Sequence, residues 1–564
     1  MKKVKIQGLT LFIIRLIFFL TPGLYIPGYA ATSIDNLPYI INSSGEYQIS
    51  QDLSISSGTG ITIDADNVTL SGTGTETNIF YSVSGSGTAI EISGSRENIQ
   101  IRNLTLYQEG IYLNSKGITG SSLQSFVADN VTIHVKSGVS AAGFGFDVSG
   151  DSNSHIQNCS LNISGQSRFY GIDNPSNLKI HDCTFSVSDH SNPSQYPYVI
   201  YNPSSSEIYN NRFDINGAKV NVFGSWGGDN NLIYGNTINY NCTDGGRIFL
   251  MNGGADGWEI YNNTIIVTSN TAESQYVLRI RGIDGRSADN NLFHHNTVDI
   301  TGASGQIAAV SLGDNSPMYG NKIYGNLLKS NSNIVNFYSS NVNDTEIFCN
   351  DIQAQGDAYP IAISYRTPSN VRIFNNTLSS ERTDGKLVYV TSPATGVTFC
   401  DSDISGSDLS GGGSVNINPE VCQPDICSGL TGTIDNDLNL QIKEYSLSQN
   451  YPNPFNPATT IKYSIPASRL PRRSEAKTGR QYAAGSQNNQ SFNQPITESN
   501  SDLLIVQLKV YNILGKEVAT LVNDSQRPGI YEVQWDAGHL SSGVYFYQLR
   551  AGNFVQVKKL MLIK

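Results

Sequence analysis

At 564 residues, 38% of them hydrophobic and 15% charged, the chain is long enough for at least two domains with sizeable cores. Its net charge of −11 is unevenly divided: residues 32–441 carry 18 basic and 39 acidic side chains, and residues 442–564 carry 14 and 8. So acidic a body excludes a general nucleic-acid binder, because affinity for phosphate needs positive surface.

The chain opens "MKKVKIQGLTLFIIRLIFFLTPGLYIPGYAATS". Lysines precede an apolar stretch that Arg15, Pro22 and Pro27 interrupt, and small Ala30 and Ala31 follow. This is the grammar of a secretory signal peptide over 1–31, too short and broken for a membrane span, so no transmembrane segment is expected in the mature chain. No cysteine lies near the cleavage region, which argues against a lipid anchor.

From residue 32 to 420 a short pattern recurs: "NIQIRNLTL", "SHIQNCSL", "LKIHDCTF", "SEIYNNRF", "NLIYGNTI", "WEIYNNTI", "NLFHHNTV", "NKIYGNLL", "TEIFCNDI", "VRIFNNTL". The mean step is about 27 residues, with β-branched residues, Gly and Asn but no helical periodicity, which predicts a solenoid of short strands. About thirteen coils stacked at strand spacing would make a rod on the order of 60 Å long, with variable turns where function normally resides.

The fourth position of each core hexamer is Leu104, Val131, Cys159 and Cys183 in the early coils, then Asn211, Asn236, Asn263, Asn296, Asn326, Asn350 and Asn376. Buried residue types early in the series place this position inside. A stacked carboxamide can satisfy its donor and acceptor on the next coil, so a structural asparagine ladder is expected rather than a ligand site. Cys159 and Cys183, one coil apart, are either a disulfide or two buried thiols. Cys422 and Cys427, in "VCQPDICSG", are the candidates for a local bridge in a linker over 421–442.

These "IYxNxI" repeats, together with the opening "YIINSSGEYQISQDLSISSGTGITIDADNVTLSG", resemble the right-handed parallel β-helix, or pectin-lyase-like, superfamily over roughly residues 34–420. The resemblance implies an all-β fold and leaves the activity open, since that superfamily holds lyases, hydrolases, epimerases, tailspikes and non-catalytic surface proteins.

Three columns follow from the repeat. Tyr209, Tyr234, Tyr261, Tyr324, Phe348 and Phe374, with His294 among them, follow the leading apolar residue and should face outward, to stack on sugar rings or on one another. Lys219, Arg247 and Arg279 lie 13 or 14 residues before the next leading residue and should stack, with Arg281 beside them, against either turn carboxylates or an anionic ligand. Asp229, Asp256 and Asp289 precede the leading residue by four and either hold Ca²⁺ or cap the main chain.

By resemblance to the superfamily's polysaccharide lyases, Arg279 or Arg247 would be the base, Lys219 and Arg281 the uronate clamps, and the aspartates the calcium site. The chain has no Asp-Asp pair and no Gly-His-Gly, which places a lyase ahead of a polygalacturonase-like glycoside hydrolase. The alternative is a non-catalytic adhesin or structural rod.

Beyond residue 442 the alternation "YSLSQNYPNPFNPATTIKYSIP", "VQLKVYNILGKEVATLV" and "SSGVYFYQLRAGNFVQVKKLMLIK" predicts a small antiparallel sandwich. "YPNPFNP", "VYNILGKEV" and "SSGVYFY" resemble the type A C-terminal sorting domain of the type IX secretion system, assigned to 443–564. That resemblance implies export across the outer membrane of a Gram-negative-type bacterium by the type IX machinery, to the cell surface or the exterior. A polar Gln/Asn/Ser-rich insert over 467–502 lacks the apolar residues for a core and is expected to be a disordered loop. The expected partners are a polysaccharide and the secretion machinery, with the protein a monomer.

Overall fold

The computed structural model describes residues 31–418 and 446–563. Left out are 466–503 and the short stretches 74–76, 83–86, 110–114, 138–141, 166–167, 191–195, 218, 243–244, 269–274, 302–306, 340, 365–367, 401–403, 448–449, 451–452, 454, 527–528 and 553. The signal-peptide reading of 1–31, the Cys422–Cys427 bridge and the disordered-insert reading of 467–502 therefore fall outside the described residues, but for Ala31.

The described strands form an all-β solenoid of about 11 turns, followed by small antiparallel sheets. By contacts the chain divides into two compact units, one of Met1–Lys179 with Val187–Tyr201, the other of Ile180–Ser186 with Asn202–Lys564. Within each, every coil pairs in parallel with the equivalent strand of the next. In the first unit Ile101 pairs with Ala128 and Leu104 with Val131, and in the second Ile208, Ile233, Ile260, Phe293, Ile323, Ile347 and Ile373 succeed one another in register.

The doubled asparagine of "EIYNNTI" divides two tasks. The first position takes a left-handed backbone, with φ of 55° at Asn210, 53° at Asn262 and 53° at Asn375; Gly235, Gly325, His295 and Cys349 fill it elsewhere, and it turns the corner between two short strands. The second position points into the core and builds the ladder. Asn211 Nδ2 donates to Asn236 Oδ1 at 3.0 Å, Asn236 to Asn263 at 2.9 Å, Asn263 to Asn296 at 2.9 Å, Asn296 to Asn326 at 3.1 Å, Asn326 to Asn350 at 2.9 Å and Asn350 to Asn376 at 2.9 Å. Each acceptor oxygen also takes the main-chain N–H of the asparagine below it, so the buried amides are satisfied. A second buried set runs parallel: Asn291 Nδ2 donates to Asn321 Oδ1 at 3.0 Å, and Trp258 N to Asn291 Oδ1 at 2.9 Å.

Cys159 and Cys183 are buried thiols, not a disulfide. Their sulfurs donate to main-chain carbonyls, Cys159 to Gln157 at 3.2 Å and Cys183 to His181 at 3.2 Å, which turns each thiol inward along its own strand. The sequence did not single out Cys349 and Cys400, yet both are disulfide-bonded.

In the C-terminal region the strands Ser446–Leu447, Ala458–Ile465 and Gly529–Asp536 form one antiparallel sheet; Glu517–Gln526, Leu504–Asn512, Gly543–Ala551 and Phe554–Leu562 form another. The alternation read from the sequence buries Leu447, Ile461, Tyr463, Val506, Tyr547 and Leu560 in a common core.

Candidate functional site

The aromatic column forms as spaced. From His181 through Tyr209, Tyr234, Tyr261, His294, Tyr324, Phe348 and Phe374, successive ring centroids lie 4.6–5.1 Å apart with planes within 12°. It is not the exposed sugar platform that the spacing allowed. Each inner ring has both faces covered by its neighbours, and His294, Phe348 and Phe374 are buried. Burial pushes the Tyr324 hydroxyl up to about 12 and holds His295, beside His294, down to about 4.

The aspartate column is also spent on the scaffold. Asp229 Oδ1 accepts Asp256 N at 3.2 Å, Asp256 Oδ1 accepts Asp289 N at 2.6 Å, and Asp289 Oδ1 accepts Tyr319 N at 2.8 Å. Each carboxylate caps the coil that follows it. Burial, with Asp289 and Asp229 adding repulsion, raises the Asp256 carboxyl against the hydrogen bond it accepts. Among the described residues no three His, Cys, Asp or Glu side chains converge as a metal requires.

The basic residues do not stack as spaced. Asn221, not Lys219, is in register with Arg247, which pairs with Tyr276; Arg279 pairs with Leu250 and Ser311. Lys219 sits two residues earlier, at a left-handed corner with φ of 23°. Three arginines nevertheless gather. Arg279 and Arg281 share Asp314, at 3.4 and 2.6 Å, and Arg279 also donates to Ser311 Oγ at 3.0 Å. Arg279 lies over the Tyr276 ring at 4.6 Å and the Tyr338 ring at 5.1 Å, and Arg247 lies 6.0 Å from Tyr276. Burial holds the Arg281 guanidinium below its usual range, opposed by Asp314 and reinforced by the cations Arg279 and Arg247.

This group is a cationic cluster. Arg279 is only 7% exposed, and among the described residues the Nε atoms of Arg279 and Arg281 and both amide atoms of fully buried Asn221 have no hydrogen-bond partner. Guanidinium forks are suited to planar oxyanions, as the carboxylate of Asp314 shows here.

A second polar group, in the first unit, escaped the repeat analysis. Phe144-Gly145-Phe146-Asp147 and Tyr170-Gly171-Ile172-Asp173 are the same motif, aromatic–Gly–apolar–Asp, on neighbouring coils. Phe146 and Ile172 are buried, whereas Phe144, Tyr170, Asp147 and Asp173 are half-buried. The Phe144 and Tyr170 rings stack at 5.0 Å, Tyr170 continues to Tyr198 at 6.1 Å, and Tyr201 stands edge-on to Tyr170 at 5.1 Å. Lys116 Nζ bonds Asp147 Oδ2 at 2.5 Å, while Asp173 is pushed up to about 6 by burial and by Asp147, against weaker help from Lys116 and Asn174. The recurrence of that tetrapeptide is the signal the sequence carries for this group, and it lies outside the asparagine hexamers.

Residues 489–564 match the family model described as a secretion system C-terminal sorting domain. No curated protein matches. Among solved structures the chain is similar to the tailspike protein of E. coli bacteriophage HK620. One double mutant in complex with a pentasaccharide aligns at 11% identity over 92% of this chain and 87% of that one, with a TM-score of 0.39. A deletion mutant in complex with a pentasaccharide aligns at 14% identity over 92% and 87%, with a TM-score of 0.33. Superpositions this loose leave the fold to rest on the strand pairings themselves. The class is thus a parallel β-solenoid carrying a secretion sorting tail, and that tail implies type IX export to the cell surface or exterior. No helix among the described residues is long and apolar enough to cross a membrane.

Proposed function

We propose that this exported β-helix protein binds an acidic, uronate-bearing polysaccharide through Arg247, Arg279 and Arg281. The observation that carries the reading is the sharing of one carboxylate by two guanidiniums: Arg279, nearly buried, and Arg281 both bond Asp314, and the Arg247 guanidinium adds positive charge beside them. Desolvated cations without a full set of partners gain most from an incoming carboxylate. Asp314 marks how a uronate would be held, bridging Arg279 and Arg281, while the exposed Tyr338 offers a ring contact.

Guanidiniums clamp better than they abstract protons, so binding is favoured over the lyase assignment, and Arg281, whose charge is the least supported, is the better base candidate should cleavage occur. The test is retention of the protein on immobilised polygalacturonate against dextran. Retention on the acidic polymer that Arg281→Gln weakens about tenfold, roughly 1.4 kcal/mol, supports the reading. Equal retention on dextran, or none on either, overturns it, and a rise in unsaturated-product absorbance would convert binding into lyase activity.

A further inference from the structure

Asp314 meets its arginines in a way that Asp214 and Asp384 do not. Arg212 closes a fork on Asp214, with Nε and Nη2 donating at 2.7 and 2.8 Å, and Arg382 closes one on Asp384 at 2.9 and 2.6 Å. Arg279 and Arg281 instead share one oxygen, Asp314 Oδ2, through Nη2 at 3.4 and 2.6 Å. Both of their Nε atoms are buried without a hydrogen-bond partner among the described residues. One oxygen thus serves two guanidiniums, and the fork edge that suits a carboxylate best stays unfilled.

The tether of Asp314 explains the poor fit. Its other oxygen, Oδ1, accepts the N–H of Asn315 at 2.9 Å, and its carbonyl accepts Asn341 Nδ2 at 2.7 Å. The turn itself is fixed by other bonds: Gly313 N donates to the Ile280 carbonyl and Ser316 N to the Gly282 carbonyl, both at 3.0 Å. Gly313 takes a φ of 97°, and a Cβ there would meet Ser339 Oγ at 2.4 Å, so glycine is needed to bring Asp314 against the arginines. The main chain holds this turn without the carboxylate. With its side chain a quarter exposed, Asp314 can rotate away and free both guanidiniums while the turn stays in place.

We infer that Asp314 is an internal competitor, a carboxylate that the protein carries in its own anion site and that an incoming ligand carboxylate must displace. The inference rests on the uronate reading above and adds what governs access to that site. A tethered group competes at an effective concentration on the order of millimolar. An isolated uronate, chemically its equal, therefore displaces it poorly. A chain with further carboxylates succeeds, because the charge of Arg247 acts on the same place and attracts the next one. Asp314 is thus the residue that sets the specificity of the site, against single acids and in favour of densely charged polymers.

The test compares full-length wild type, Asp314→Asn and Asp314→Glu on immobilised polygalacturonate, with free galacturonic acid as the competitor. The amide keeps the shape of the side chain and an oxygen for Asn315 N–H but loses the charge. Asp314→Asn should be retained about tenfold more tightly, as for a site open in about one wild-type molecule in ten. Galacturonic acid at about 10 mM should elute Asp314→Asn and leave the wild type bound. Asp314→Glu, which keeps the charge, should bind no more tightly than the wild type. Retention of Asp314→Asn should also fall more steeply with salt, because its ligand replaces dissolved anions and not an attached one.

Wild type retained on polygalacturonate, with Asp314→Asn equal or weaker, overturns this inference alone and makes Asp314 a positioning residue for the guanidiniums. A melting temperature lowered by more than about 5 °C in Asp314→Asn overturns it too, since the fold would then depend on the carboxylate. No retention of either protein overturns the uronate reading, and this inference with it.

Discussion

Two sets of aspartates recur coil by coil in this molecule, and they behave oppositely. Asp229, Asp256 and Asp289 each spend an oxygen on a main-chain N–H of the next coil. Asp147 and Asp173 meet side chains instead: an ammonium for one, aromatic rings and the other carboxyl for its neighbour. The residue type and the repeat spacing are alike, so neither identifies a site. What separates the two sets is whether the backbone supplies the donor.

That contrast can be broken at several points. The largest effect is expected where a polar side chain is wholly committed to the scaffold. Asn263→Ala removes the acceptor of Asn236 N and Nδ2 and the donor to Asn296, and should cost about 3 kcal/mol, read as a lowered denaturation midpoint. Next, Asp289→Ala should cost about 1–2 kcal/mol, because Tyr319 N–H loses its acceptor. If Asp289→Ala proves neutral, its column is not holding the coils together.

Asp173→Asn should run the other way and stabilise the fold above pH 6, by on the order of 1 kcal/mol after allowance for solvent screening. The sign follows from linkage: Asp173 keeps its proton to about 6 when folded and to the ordinary 3.8 when unfolded, so stability contributed at low pH is lost as pH rises through that window. His295, held down to about 4 when folded against an ordinary 6.5, contributes the opposite slope, with stability lost as pH falls. Asp173→Asn should therefore make the rise of melting temperature between pH 4 and 6.5 steeper than in the wild type. The smallest effect is expected from chelation: with the Asp229–Asp256–Asp289 carboxylates already on main-chain donors, EDTA or added Ca²⁺ should shift the melting temperature by less than about 1 °C.

The scaffold was largely legible from the chain itself. Leu104, Val131, Cys159 and Cys183 mark the ladder position as interior, and the asparagines that succeed them stack there. Side-chain partners were less legible, because they depend on turn length. Seven residues separate Met251 from Glu259 and eleven separate Ile280 from Leu292, although both ends are in register. Counting back from the hexamer across the longer turn therefore set Arg279 against Arg247, when its register partner is Leu250. The aromatic column was placed correctly and its exposure was not, since rings that repeat every coil cover one another before they can cover a ligand.

The amide ladder has a direction. In all six rungs the earlier coil supplies the donor and the later coil the oxygen. A coil's asparagine thus stays unfinished until the following coil arrives, so a chain cut short anywhere within the series exposes one open rung at its growing end. The sorting domain lies beyond the last rung, so a chain that carries it already contains every asparagine the ladder needs.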